Sequence, residues 1–347
     1  MKLKNRIDSF SKLGVVLRNA LDGIPGRYTN ELNSLISNQQ ARNPWFTPEN
    51  VRMALRSVAN ELTDQNLEKW TASYKIPDSP HYPLNVGVIM AGNIPLVGFH
   101  DFISVLITGN RVIAKPSSRD EDLISFVGKL LSEINPGFSD RMEFRRNNLS
   151  EFDIVIATGS NNSSRYFEYY FGRYPHIIRK NRNSAAVIEG NETDEELKLL
   201  GVDVFSYFGL GCRNISKLFV PSGFDIQKLA DLWSSYSSLL NHNKYGNNYD
   251  FNKALFLVNR ESFTDLGFIL LKMSDDLFSP VAVLNYKYYS SLDEVEKAIK
   301  LDSDRIQCIS GRKYTPFGMS QSPKLWDYAD GIDTVEFLLK KNRSGIL

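Results

Sequence analysis

Val88-Ile89-Met90-Ala91-Gly92-Asn93-Ile94-Pro95 is the stretch that decides the fold of this 347-residue chain. A short apolar run ends at Gly92 and Asn93, which reads as a buried strand opening into a loop on the ligand side of a sheet. The wider stretch 82–99 has no charged residue and imitates a membrane span. Pro83, Asn85, Gly87, Gly92, Asn93, Pro95 and Gly98 would nevertheless break a spanning helix. The pattern repeats outward. Apolar runs at 86–90, 111–114, 153–157 and 185–188 alternate with helical patterns at 96–107, at Leu123, Val127, Leu130 and Ile134, and around 166–171. Strands spaced by helices of this length predict βαβ units and a parallel sheet.

The first 80 residues read as helical. Thr47 is placed to cap a helix with Pro48 at its first position and Glu49 in its first turn, followed by Val51, Leu55, Val58 and Leu62 at helical spacing. Pro77-Asp78-Ser79-Pro80 then breaks the pattern. Further on, Thr193 and Glu196 predict a capping box for a helix carrying Leu197, Leu200, Val204, Phe205 and Phe208, which stops at Gly209 and Gly211. Strands are expected at 217–220, 254–258, 281–286 and 305–309, and helices at 225–240 and 292–300. A division near 180–190 gives two α/β domains, as the length suggests.

Composition excludes several classes. Forty-one Lys plus Arg against 40 Asp plus Glu leave a net charge of +1, with no bulk pull toward nucleic acid or anionic lipid. Aromatic residues at 12% argue against disorder. Cys212 and Cys308 could form one bridge at most, which favours a reducing compartment. Lys2, Lys4 and Arg6 precede Asp8, Lys12 and Arg18, which interrupt any signal core, so the start reads as a cytoplasmic amphipathic helix. No G-x-G-x-x-G follows a strand and no glycine-rich loop ends in Gly-Lys-Ser/Thr. His81, His100, His176 and His242 lack ligand spacing, so no metal is expected.

Four short segments can carry chemistry. In Phe208-Gly209-Leu210-Gly211-Cys212-Arg213-Asn214, a cysteine after two close glycines sits on a sharp turn, where Arg213 or a following helix N-terminus would favour its thiolate. The same spacing also suits a small buried cysteine beside a helix end. Asn93 at a strand end is either a neutral oxyanion donor or a plain turn residue. Lys115, leaving the run 111–114, can reach a ribose or phosphate or simply face solvent. Gly159-Ser160 opens a helix whose N-terminus could face a phosphate.

In order and rough spacing, Asn93, Lys115, Gly159-Ser160, Cys212, Asp276-Leu277-Phe278-Ser279-Pro280 and Pro316-Phe317-Gly318 resemble the motifs of the aldehyde dehydrogenase superfamily. With Asn43-Pro44-Trp45-Phe46-Thr47, the stretch Phe208 to Cys212 is similar to the acyl-CoA reductases of the LuxC family. The resemblance spans about 43–340. It implies an aldehyde-dehydrogenase-like α/β fold of two three-layer domains with an active site in the cleft between them. Residues 1–80 would be a helical segment packing on the cofactor domain, 81–184 the Rossmann-like cofactor domain, 185–315 the catalytic domain, and 316–347 a segment returning toward the cleft. Cys212 would be the nucleophile and Asn93 the oxyanion donor. Lys115 would contact the adenosine ribose, and Gly159 and Ser160 the pyrophosphate. Asp276, one methylene shorter than the family glutamate, would hold the nicotinamide ribose beside Phe278.

The implied activity is NADPH-dependent reduction of a fatty acyl-CoA to the aldehyde through a cysteine thioacyl enzyme. The rivals are an acyl-phosphate reductase of the same fold and a non-catalytic nucleotide-binding subunit. Ser118 stands where the family glutamate that favours NADH lies, and with Arg119 beside it could hold a 2′-phosphate, so NADPH is expected over NADH. The stretch Arg179-Lys180-Asn181-Arg182-Asn183-Ser184 lacks the hydrolytic carboxylate of aldehyde-oxidising members. Arg179, Lys180 and Arg182 read either as a site for coenzyme A phosphates or as a solvated basic loop. Expected partners are acyl-CoA, a protein that delivers the acyl group and further copies of the chain.

Overall fold

The computed structural model describes residues 1–80 and 82–344, so His81 lies outside the described residues. The chain divides into two compact units, Met1–Asn181 with Lys324–Leu347, and Arg182–Pro323. In unit 1 the order is α1 (Leu3–Leu21), α2 (Thr29–Arg42), α3 (Pro48–Glu61), α4 (Asp64–Ala72), β1 (Asn85–Ile89), α5 (Phe99–Ile107), β2 (Arg111–Lys115), α6 (Glu121–Ile134), β3 (Met142–Phe144), β4 (Ile154–Thr158), α7 (Asn161–Phe171) and β5 (His176–Arg179). Unit 2 holds β6 (Asn183–Val187), α8 (Asp194–Phe205), β7 (Ile215–Pro221), α9 (Lys228–Leu232), α10 (Asn243–Val258), β8 (Thr264–Asp265), β9 (Leu270–Met273), β10 (Val283–Tyr289), α11 (Leu292–Leu301) and β11 (Ile306–Ser310). The last helix, α12 (Thr334–Ser344), belongs to unit 1.

Unit 1 is built on a five-stranded parallel sheet in the order β3-β2-β1-β4-β5. Side chains alternate between its faces. Val86, Val88, Val112, Ala114, Ile154 and Ile156 share one buried core with Phe10, Leu13, Val51, Leu55, Phe102, Val127 and Leu338. The N-terminal helices and the last helix are therefore part of the wall on that face. On the other face Gly87 leaves room for Leu149, whose Cδ2 an added Cβ would strike. The Thr47 hydroxyl accepts from Asn50 N at the start of α3, with Pro48 at the first position.

Unit 2 is a six-stranded sheet, β11-β6-β7-β10-β9-β8, in which β8 runs antiparallel to β9. Both halves of the capping box on α8 are formed. Three expectations are corrected here. Residues 254–258 end helix α10 rather than forming a strand, because the buried positions Tyr245, Tyr249, Asn252 and Phe256 recur at helical spacing. The helix expected over 225–240 is split into α9 and a 3₁₀ run, Ser234–Asn241, either side of Trp233. That ring is fully buried and donates to Leu197 O at 2.8 Å. The helix expected from 96 starts at Phe99, since Leu96 takes a left-handed φ of 58°.

No helix of the described residues is long and apolar enough to cross a membrane. No group of three or more His, Cys, Asp or Glu among them could hold a metal ion.

Candidate active site

In unit 1 the strand order reverses at β1, with β2 on one side and β4 on the other. Open parallel sheets bind ligands beyond the carboxyl ends at such a switch point. Register sets Ile89 level with Lys115 of β2 and with Ala157 of β4. The loops carrying Asn93, Ser118, Arg119, Gly159 and Ser160 therefore leave neighbouring strand ends. A cavity of about 770 Å³ opens beside Ile89 and Lys115, walled by Phe152, Tyr166, Tyr170 and Tyr174 among others. Of the predicted site residues of unit 1 it is lined by Lys115 but not by Asn93, Ser118, Arg119, Gly159 or Ser160. Flat aromatic walls beside an ammonium group suit a nucleoside, which needs ring stacking and a partner for its ribose or phosphate. Ser118 and Arg119 are exposed on the turn after β2. Ser160 caps α7, its hydroxyl accepting from Ser163 N at 3.2 Å.

The loop bearing Asn93 is held from two directions. Asn43, the buried first residue of the Asn43 to Thr47 motif, extends its carboxamide toward Gly92 O at 3.4 Å. Asp120 accepts from Leu96 N at 2.8 Å and stands at the start of α6, next to Arg119. Gly92 is required between them, since a Cβ there would lie 2.5 Å from Ser117 Oγ. Asn93 itself is exposed.

Asp120 is 4% exposed, and its Oδ1 has no hydrogen-bond partner among the described residues. Burial pushes its carboxyl well above the ordinary value, against the smaller effect of the Leu96 N–H. The native state then keeps a proton that the unfolded chain releases. Stability should fall as pH rises from the ordinary carboxyl range through the raised value. Asp120→Asn, which cannot ionise, is expected to remove that slope in urea titrations at several pH values. Asp120→Ala, which strands the buried Leu96 N–H, should cost about 1–3 kcal/mol. An Asp120→Asn slope equal to wild type would refute this account.

In unit 2 the cysteine segment lies between α8 and β7, and the helix N-terminus expected after Cys212 is instead the start of a strand. The strained part of the turn precedes its glycines. Tyr207 and Phe208 are left-handed at φ 52° and 59°, as is Gly209 at 77°. Each of the two non-glycine residues costs roughly 1–2 kcal/mol in this conformation. Both are buried, and the Phe208 ring packs 4.4 Å from that of His242. Cys212 is half-buried, whereas Cys308 is 8% exposed in β11. The Cys212 carbonyl accepts from the buried Ser184 hydroxyl at 2.8 Å. Arg213 Nη1 lies 3.5 Å from Ser320 O.

Two other predicted segments are anchored around the same turn. Ser216 Oγ donates to Leu277 O at 2.7 Å, and Asn285 Nδ2 donates to Asp276 O and Phe278 O. Lys217, whose ammonium is drawn below its usual value by burial, donates to Asp275 O. Asp276 and Phe278 are thereby presented outward, both exposed. The loop that begins Pro316-Phe317-Gly318 is fixed by Asp203, which is fully buried and accepts from Gly318 N and Ser320 N at 2.9 Å and from Ser310 Oγ at 3.0 Å. Burial raises the Asp203 carboxyl, and these hydrogen bonds offset part of that.

Unit 1 thus carries Asn93, Lys115, Ser118, Arg119, Gly159 and Ser160 at or beyond neighbouring strand ends, and unit 2 carries Cys212, Asp276 and Phe278. The basic cluster at 179–184 is corrected. Arg179 is 2% exposed and pairs with Asp101, so its charge is committed inside unit 1, while Arg182 donates to Ile306 O in unit 2. Sequence reasoning assigned no role to Asp120, Asp203, Asn214 or Ser184. Their one visible signal was a lone polar residue at a core-facing position, as with Asp203 among Leu200, Val204 and Phe205.

No family model matches the chain. Long-chain acyl-protein thioester reductase 2 of Photobacterium leiognathi is 24% identical over 228 residues, covering 59% of this chain and 46% of that protein. The match thus spans less than half of the relative's length. Aldehyde dehydrogenase 21 from Physcomitrella patens, solved with succinate, aligns with a TM-score of 0.64 at 13% identity over 90% of this chain and 74% of its own. An aldehyde dehydrogenase from Bacillus cereus in its NAD⁺ complex aligns with a TM-score of 0.61 at 14% identity, over 89% and 72%. Aldehyde Dehydrogenase C of Pseudomonas syringae, a cysteine-to-alanine mutant solved with NAD⁺ and octanal, aligns at 0.59 with 12% identity, over 89% and 72%. The chain has the fold of the aldehyde dehydrogenases, and in sequence it is similar to a long-chain acyl-protein thioester reductase.

Proposed function

We propose that the protein reduces a fatty acyl thioester to the aldehyde, with Cys212 as nucleophile and NADPH as reductant. The observation that carries this reading is the half-buried Cys212 on a strained turn anchored at its own carbonyl, within an aldehyde dehydrogenase fold. Cys212 thiolate adds to the thioester carbonyl carbon, and the carbonyl electron pair moves to oxygen. The Asn93 carboxamide and the Cys212 N–H are assigned as donors to that oxyanion. The bond to the leaving thiolate then breaks, leaving the acyl group on Cys212. The nicotinamide, when bound, supplies the hydride that reduces this acyl group. The thiohemiacetal on Cys212 loses its hydroxyl proton, and its carbon–sulfur bond breaks to give aldehyde and thiolate. With no carboxylate at 179–184, hydrolysis of the acyl enzyme has no dedicated base there.

Lys115 and the aromatic cavity are assigned to the adenosine, the N-terminus of α7 at Gly159 and Ser160 to the pyrophosphate, and Asp276 with Phe278 to the nicotinamide ribose. Ser118 and Arg119 are assigned to the 2′-phosphate. The named relative acts on acyl-protein thioesters, and acyl-CoA carries the same reacting group. The reading includes a partner that delivers the acyl group and a homo-oligomer. The test follows NADPH and NADH oxidation with acyl-CoA, acyl-protein and acyl phosphate of several chain lengths. NADPH and the thioesters should be preferred, and Arg119→Ala should raise the KM for NADPH about tenfold while leaving that for NADH unchanged. Acyl phosphate as the best donor, or an NADH preference untouched by Arg119→Ala, would overturn the corresponding assignment.

A further inference from the structure

We infer that Asn214 is the positioning residue that sets the Cys212 thiol for attack. The inference rests on the reading of Cys212 as nucleophile. Helix α8 ends at Phe205, so its last carbonyls lack partners within the helix. The Asn214 carboxamide, 3% exposed, donates to Ser206 O at 2.8 Å and Asp203 O at 3.0 Å, with Val204 O at 3.5 Å. Its Oδ1 accepts from Gly211 N at 2.8 Å, and its own N–H donates to Gly211 O at 3.0 Å.

One side chain therefore grips both ends of the loop. It ties the carbonyls that enter the left-handed run at Tyr207, Phe208 and Gly209 to the N–H of Gly211, the residue before Cys212. The left-handed run leaves the chain few ways to close, and the carboxamide selects one of them. With the Ser184 hydroxyl on Cys212 O and the Asn214 backbone N–H on Gly211 O, the peptide groups on both sides of the thiol are held, and the Asn214 carboxamide fixes the N–H of Gly211 just ahead of them. Such control matters because a displacement of about 1 Å at a reacting atom can cost on the order of 100-fold in rate.

The test measures acyl transfer to Cys212 by mass spectrometry in single-turnover mixtures of acyl-CoA and the full chain, with alkylation of buried Cys308 as an internal report on the fold. Asn214→Ala is expected to slow acyl transfer about 100-fold, with the concentration of acyl-CoA giving half the maximal rate changed less than about threefold and Cys308 still protected. Asn214→Asp keeps the shape and the acceptor for Gly211 N while removing the donors, and it should lose nearly as much. Asn214→Ser, which keeps one donor, should recover part of the rate. If Asn214→Ala exposes Cys308, Asn214→Asp decides by the same measurements. Acyl transfer at the wild-type rate in either folded variant would overturn the inference. A wild-type protein that takes up no acyl group at Cys212 would instead overturn the reading beneath it.

Discussion

Cys212→Ala should lower aldehyde formation by at least about 10⁴-fold, because removing a nucleophile abolishes the covalent route and leaves only binding and oxyanion stabilisation. Cys308→Ala should leave the rate within about twofold, since that thiol is buried in β11 and bonded to Thr315 Oγ1 at 3.4 Å. Acyl-CoA incubated with wild type and no reductant should leave the acyl group on Cys212, found by peptide mass spectrometry. Activity surviving in Cys212→Ala, or an acyl group found on another residue, would remove the basis of the mechanism.

Arg179→Ala is expected to destabilise unit 1 by about 3–5 kcal/mol, the usual result of deleting one partner of a buried ion pair. Arg179 Nη2 lies 2.7 Å from Asp101 Oδ1, with side chains 3% and 9% exposed. The guanidinium also donates to Thr334 Oγ1 at 2.8 Å and to Ala329 O at 2.5 Å, which ties the last segment of the chain to α5. Desolvation alone would raise the Asp101 carboxyl, yet the charge and hydrogen bonds of Arg179 hold it below its ordinary value. The pair therefore stabilises the fold above the ordinary carboxyl range, and that stability is lost as pH falls through the lowered value. In Arg179→Ala the sign reverses, because Asp101 keeps its burial and loses its counter-ion. Urea unfolding near neutral pH should show the full loss, and the double variant Asp101→Leu with Arg179→Met should recover most of it. A loss under about 1 kcal/mol for Arg179→Ala would show that the pair is not buried as described.

The inner strands β1, β2, β4, β6, β7 and β10 were legible because a parallel strand covered on both faces is apolar at nearly every position, as in Val112-Ile113-Ala114, whereas the inner strand β9 was not expected. The edge strand β3 gave no such signal. Met142-Glu143-Phe144 is half-buried throughout and reads as ordinary loop. The run 254–258 misled because a short apolar run carries no period, and the spacing that fixes the helix starts upstream at Tyr245. Motif order singles out Asn93, Lys115 and Cys212 as candidates, but spacing says nothing about which backbone groups a lone Asp or Asn will meet. Asp120, Asp203 and Asn214 became visible only with the loops they hold. Arg179 and Lys180 are adjacent in sequence, yet one is buried and the other exposed.

The shared core of unit 1 bears on how this chain could be shortened. Phe10, Leu13, Val51 and Leu55 are fully buried in the same cluster as Val86 and Val112 of the unit 1 sheet. A fragment starting after residue 80 would turn that sheet face toward water and take away Asn43, which reaches the loop before Asn93. The leading helices are therefore not a detachable extension. They should melt with the sheet in a single transition, resist release by limited proteolysis, and be dispensable in a shortened relative only where another helical wall covers the same face.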